Sequence, residues 1–469
     1  RDEMRYVEVA REMIVEGRWA VPHLNQVLYS EKPPLFFWLM RVPNALEGDL
    51  TPAGARSVIA VMAALCVALT FAIGRLLLGP VGAGVSALAL ATSAEFARFS
   101  QTAVMDVPLA LFVTAALFFY VLAKRRPTRA SALPMAAAYA SMGLGFMVKG
   151  PFGILLPAVV MACEGFRARG GRALKARHLR WGPLITIGIL LAWVIPVIVS
   201  LGPDFAIDTL KRQLLTRAVG QAAPHAGPIW FYFAELPVEF LPWTIFVPFA
   251  FVATWRHRFA PPHPESAAEG LRFGAVWTVA MFVVLTAIKG KRDQYLMPLF
   301  PGAALLVGAW FEHVWHGVRR EEHPWFEPTR KVVGAALAGT AALGLVGAFV
   351  VPAIVRVLGL EATEFASVMG TDGWMPLWWA LLAAPLALAA AALIGRGRPP
   401  AVFAGVLLVG AALVLFTNLQ VRPSLNWKRS GRWIGERMGE LHRDGAVLGA
   451  FRWRMVGTYN YYGRVARIE

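Results

Sequence analysis

Several acids and bases in this chain stand beside prolines or glycines at the edges of long apolar runs. The opening "RDEMRY" carries an Asp–Glu pair, and "SEKPPLFFWLM" (30–40) sets Glu31 and Lys32 before two prolines and an aromatic run. Proline stiffens the chain and disfavours helix at the residue before it, so this pair is held extended. A lysine there suits a phosphate as a point charge, and a glutamate suits a divalent metal or a second cation. The pair also reads as boundary charges snorkelling at the end of an apolar segment. Asp2 can take a proton from an attacking hydroxyl or amine, or it can cap a helix. Asp106, in "TAVMDVP", opens an apolar run and carries the same two readings. Lys149, in "MVKGP", is flanked by apolar sequence on both sides and reads as a phosphate ligand. His225, in "APHAGPIWFYF", could join Glu31 around a metal such as zinc, though two ligands remote in sequence are also consistent with an ordinary histidine. In "KGKRDQYLMPLFP" (289–301), Lys291 and Tyr295 are four apart. They share a face if a helix has begun there, and both could then reach a phosphate.

The elements that must hold these groups are membrane spans. Hydrophobic residues make up 57% of the 469 and charged residues 16%, and apolar runs of roughly 18 residues or more recur. In a bilayer the backbone satisfies its own hydrogen bonds, so these runs are helices. About twelve are expected, near 54–74, 81–97, 106–123, 131–148, 151–166, 182–200, 233–254, 273–288, 295–313, 332–353, 375–394 and 401–420. Loops at 124–130, 167–180, 255–258, 319–331 and 395–398 are rich in Lys and Arg and predict a cytoplasmic face. This placement accounts for the net charge of +17 and excludes a nucleic-acid partner. The other face carries 1–53, the 98–106 turn, "KGP" (149–151), 201–232, 289–293, 356–373 and the tail, and the candidates above fall there or at the span ends beside it. With both ends on that outer face and a first residue other than Met, one further span is expected before residue 1. Cys66 and Cys163 read as small apolar residues without a disulfide framework.

Two outer segments read as interfacial helices. In 2–17, Met4, Val7, Arg11 and Ile14 form one stripe and Glu8, Glu12 and Glu16 a polar face; in 203–220 the stripe is Ile207, Leu210 and Leu214. Three regions follow: an outer-face segment 1–53, a transmembrane region 54–420, and the start of a small α/β domain from 421 to 469. In the last, 430–444 predicts a helix and 446–451 and 464–469 predict strands.

Taken in order, "RDEMRY", "YSEKPPLFFWL", "MDVPLALF", "KGP", "HAGPIWFY", "FLPW" and "KRDQYLMPLFPGAALL" resemble the membrane glycosyltransferases of the GT-C class. The pattern is similar to the bacterial protein-mannosyltransferase-like and lipid A aminoarabinose transferase families. The resemblance implies an all-α polytopic fold, a polyprenyl-phosphate sugar donor, and a bacterial inner-membrane enzyme working on the periplasmic side. The acceptor would be a lipid, a glycan or a protein. It implies Asp2 as the catalytic carboxylate, and Lys32, Lys149 and Tyr295 on the donor phosphate, joined by Lys291 or Arg292. Glu31 and His225 become metal ligands, for zinc or magnesium. Tyr29 and Asp106 become further site residues, and "PLFFWL" the lining of a prenyl groove. Two departures leave sugar and acceptor open: two prolines follow Glu31–Lys32 where the aminoarabinose branch often has one, and no base follows His225 closely. A lipid-sugar flippase and a lipid phosphotransferase are the alternatives. A flippase places its ionisable groups near the midplane, often in internal repeats, whereas here they lie at span ends on one face.

Overall fold

The structure is a computed structural model. It describes residues 2–127, 130–169, 177–204, 227–256, 265–317, 383–391, 399–416, 418–419, 432–448 and 456–464, with scattered positions within 331–350.

Thr51 starts the first long helix: its side chain accepts from Gly54 N, and Pro52 takes the first helical position, where a missing N–H costs nothing. This helix, α4, runs Pro52–Leu77; before it come α1 (Asp2–Glu16), a hairpin of β1 (His23–Leu24) and β2 (Val27–Leu28), α2 (Leu35–Leu39) and α3 (Arg41–Glu47). After it come α5 (Pro80–Thr92), α6 (Ala94–Phe99), α7 (Asp106–Lys124), α8 (Ala132–Lys149), α9 (Phe152–Arg169) and α10 (Gly182–Leu201). The chain continues through α11 (Phe231–Glu239), α12 (Val247–Arg256), α13 (Glu265–Ala287), a 3₁₀-helix (Asp293–Leu299) and α14 (Phe300–Gly317). It closes with α15 (Pro399–Phe416), α16 (Arg432–Arg443) and α17 (Val456–Gly463).

The molecule is a largely α-helical polytopic membrane protein with a small β-hairpin. Among the described residues, five helical segments are long and apolar enough to cross a bilayer: 52–77, 106–124, 178–201, 268–287 and 293–313. A sixth counts if α11 and Trp243–Trp255, bent by 111° at their break, form one span. The continuous helix expected over 233–254 is therefore broken, and Pro237 and Pro242, which lack the N–H a helix needs, sit at the break. The run expected over 81–97 divides at Ser93, which is extended; its hydroxyl donates to Leu90 O, and Ala94 N donates to Leu241 O. The expected spans near 332–353 and 375–394 lie largely outside the described residues, as does the segment 205–226.

Among the described residues one main core runs through the bundle, and a smaller cluster of Val21, Phe146, Met147, Trp193 and Val197 lies between α8 and α10. α7 packs on α4, α8 and α9, and α14 packs on α5 and α13. α8 and α9 meet backbone to backbone: a Cβ on Gly153 would lie 2.0 Å from the Gly145 carbonyl carbon. α1 corrects the interfacial expectation. Glu8 and Glu12, expected on a wetted face, are buried, because α17, the hairpin, α2 and α4 all pack around the helix. Glu8 accepts from Nε and one terminal nitrogen of Arg11, at 2.8 and 2.7 Å. The strand expected at 446–451 does not form over the described part, 446–448; 464 is a turn, and 449–455 and 465–469 lie outside the described residues.

Candidate functional site

α7 and α8 run antiparallel, so the start of one meets the end of the other. Asp106 opens α7 and Lys149 closes α8. The Lys149 ammonium donates to Asp106 Oδ1, and the two residues are only 6% and 4% exposed. Met105, not Asp106, holds the N-cap position, so the aspartate serves the lysine. The ring of Tyr295 lies 4.3 Å from Lys149 Nζ and gives the cation an aromatic face. α8 stops because Gly150 adopts φ 75° and ψ −146°, a backbone open to glycine, and Pro151 follows.

Beside this group lies a small, partly open apolar recess, walled by Leu109, Phe152, Leu156 and Leu285 with Lys149 and Tyr295 at its polar edge. One buried cation at the edge of a hydrocarbon wall matches a molecule with an anionic head and an apolar tail.

A second group leaves the hairpin. Tyr29 N donates to Pro22 O at 2.8 Å, and the Tyr29 hydroxyl donates to Glu31 Oε2 at 3.3 Å. Burial, with Tyr6 and Glu31 nearby, holds the Tyr29 phenol well above its ordinary pKa, so it stays a donor. Glu31 is exposed and Lys32 half-buried. Phe36 and Phe37 correct the groove expectation: both are 1% exposed, stacked edge-on against Tyr6, with Phe37 also against Tyr29. They are core, because α1 covers them.

Lys291 does not share a helical face with Tyr295. It precedes the 3₁₀-helix, and its ammonium donates to Leu285 O at 3.0 Å and Thr286 O at 2.5 Å. There it satisfies the free carbonyls at the end of α13. Burial lowers its pKa. Arg292, beside it, accepts on its carbonyl from the Tyr232 hydroxyl at 3.2 Å.

Asp2 is the first residue of α1, but its side chain and the whole of His225 lie outside the described residues. Among the described residues, no three of His, Cys, Asp and Glu gather as a metal cluster.

Two networks were not legible in the sequence. Glu3 accepts from Arg56 at 2.7 and 3.0 Å and from Ala103 N at 3.1 Å, tying α1 to the segment that leads into Asp106. Burial raises the Glu3 pKa, but Arg56 and the Ala103 amide outweigh it and leave it below the ordinary value. Arg98 bridges Glu95 and Asp293, the latter at 2.7 Å, and so locks α6 to the 3₁₀-helix that carries Tyr295. Arg56 and Ala103 are remote in sequence from Glu3, and Asp293 from Arg98, so no spacing announces these partners.

Residues 31–200 match the family described as dolichyl-phosphate-mannose-protein mannosyltransferase. The undecaprenyl phosphate-alpha-4-amino-4-deoxy-L-arabinose arabinosyl transferase of Pectobacterium carotovorum is 28% identical over 94% of this chain and 82% of its own length. Its counterpart from Sodalis glossinidius is 30% identical over 66% of this chain and 54% of its own length. Among solved structures, ArnT from Cupriavidus metallidurans bound to undecaprenyl phosphate aligns with all of this chain and 81% of its own, at a TM-score of 0.77 and 22% identity. The Archaeoglobus fulgidus oligosaccharyltransferase has the same fold more distantly, at 0.53 and 13%, over all of this chain and 60% of its own.

Proposed function

We propose, from the premise that this chain belongs to the GT-C-type membrane glycosyltransferases of the aminoarabinose-transferase and protein-mannosyltransferase-like family, that it transfers its sugar with inversion on the periplasmic side of the inner membrane. The family makes it a multi-pass membrane enzyme using a polyprenyl-phosphate sugar. In this reading an acceptor hydroxyl or amine gives its proton to Asp2 and bonds to the anomeric carbon. The bond from that carbon to the phosphate oxygen breaks, and its electron pair leaves with the polyprenyl phosphate. Lys149, Lys32 and Arg292 hold the departing charge, with Tyr29 and Tyr295 as hydroxyl donors. Asp106 holds Lys149 in place, and Lys291 braces the loop behind them. The names of the relatives support a 4-amino-4-deoxy-pentose as the sugar. Glu31 and His225 are the pair at which we place a divalent cation.

The observation that carries the reading is the buried Lys149, set between Asp106 and Tyr295 at the edge of an apolar recess. The purified chain in nanodiscs, given the undecaprenyl-phosphate aminosugar and an acceptor lipid, is expected to release undecaprenyl phosphate. Transfer of an intact sugar phosphate would replace this reading with phosphotransfer. Metal analysis is expected to show less bound metal in His225→Ala than in the parent; equal content would remove the cation from the proposal.

A further inference from the structure

We infer that Glu12 is a positioning residue for the donor site, acting by fixing the turn from which Tyr29, Glu31 and Lys32 emerge. The functional half of this inference rests on the donor reading above. The hairpin pairs His23 with Leu28 and Leu24 with Val27, which leaves Asn25 and Gln26 as a two-residue turn. Both are left-handed, at φ 56° and 66°, as a type I′ turn requires. Asparagine tolerates that region, but the second position favours glycine, and Gln26 carries a Cβ that is penalised there. The compensation comes from α1. Glu12 Oε1 accepts from Asn25 N at 2.6 Å, and Oε2 accepts from Gln26 N at 3.2 Å.

The carboxylate is 4% exposed, so water does not replace those contacts if it is lost. α17 closes the turn from the other side, where Asn460 Nδ2 donates to Asn25 Oδ1 at 2.8 Å. Glu16 takes the Gln26 side-chain amide at 3.1 Å at the exposed rim. Beyond the turn the chain is short and taut: β2 ends at Leu28, Tyr29 N bonds back to Pro22 O, and the Tyr29 hydroxyl reaches Glu31. The places of Tyr29, Glu31 and Lys32 therefore follow from the turn.

Glu12→Gln keeps the volume but turns an amide donor toward a backbone donor. Binding of undecaprenyl phosphate to the full chain in nanodiscs is expected to weaken about tenfold, as for a buried backbone donor left without its acceptor. With the complete donor, KM should rise while kcat changes less. Backbone amide exchange over 23–32 is expected to quicken. Adding Gln26→Gly, which favours the left-handed turn without the anchor, is expected to restore most of the binding and protection. A general loss of stability would not be repaired by that glycine. Parent-like affinity and exchange in Glu12→Gln, or a folded double variant with no recovery, would overturn the inference. If the parent itself binds no undecaprenyl phosphate, the donor reading falls, and the exchange measurement alone decides whether Glu12 holds the turn.

Discussion

Lys149 and Asp106 are each costly to bury alone, and each makes the other tolerable. Lys149→Ala strands a buried carboxylate, so about 3–5 kcal/mol of stability should be lost together with donor binding. Adding Asp106→Ala removes the stranded charge. Thermal unfolding should then show stability largely recovered while donor binding stays lost, which separates the phosphate role from the structural one. Asp2→Asn keeps the size and any capping role but cannot accept a proton. Turnover should fall by about 10²- to 10⁴-fold with donor affinity retained; near-parent turnover would reduce Asp2 to a helix cap. Glu12 has a pH consequence of its own. Burial, against its two backbone donors and with Glu8 and Glu16 nearby, raises its pKa from 4.5 to about 7. The folded state then binds more protons than the unfolded one between those values. Stability from this group is complete below pH 4.5 and is lost as pH rises through about 7, on the order of 3 kcal/mol in all. Glu8, raised by burial despite Arg11, adds a term of the same sign. Unfolding temperatures should fall from pH 5 to pH 8, with a shallower slope in Glu12→Gln.

At the scale of elements, α8 and α9 meet backbone to backbone. A Cβ on Gly153 would meet Gly145 carbon at 2.0 Å and Phe146 N at 2.2 Å, atoms that no rotamer change can move. Gly153→Ala should therefore cost about 1–3 kcal/mol and shift the end of α8, where Lys149 sits. Donor affinity should drop in this variant although the substituted residue touches no ligand. α1 shows why a helical pattern misleads about surroundings. Its stripe of Met4, Val7 and Ile14 was legible, but so was a false polar face. Glu8 and Glu12 look solvated until Arg11 and the turn amides are seen to satisfy them.

At the scale of the whole molecule, charge is sorted between the two ends of the bundle. At one end Lys124 and Arg167 share Glu164, and Arg125 pairs with Glu269. At the other end stand Asp106, Lys149 and Tyr295. The first end adjoins the basic loops at 124–130 and 167–180, which the bias of basic loops places in the cytoplasm. Single cysteines introduced at 167–180 should resist an impermeant reagent added outside the cell, and cysteines at 203–232 should react. Labelling at 167–180 would invert the topology and move the site to the wrong side of the membrane.

The sequence by itself determined the solvent, the helical class and the face on which the candidate residues gather, because apolar run length and loop charge are local and the bilayer imposes both. It also marked Lys149, flanked by apolar sequence, as a candidate phosphate ligand. Only the tertiary structure decided the pairing. Asp106 and Lys149 are 43 residues apart, Glu3 and Arg56 are 53, and Arg98 and Asp293 are 195. Such partners meet because antiparallel helices return the chain to one end of the bundle, and nothing in the spacing of residues records which helix returns beside which. The same holds for Phe36 and Phe37, whose apolar character fits a lipid groove and a protein core equally well until α1 is seen lying over them.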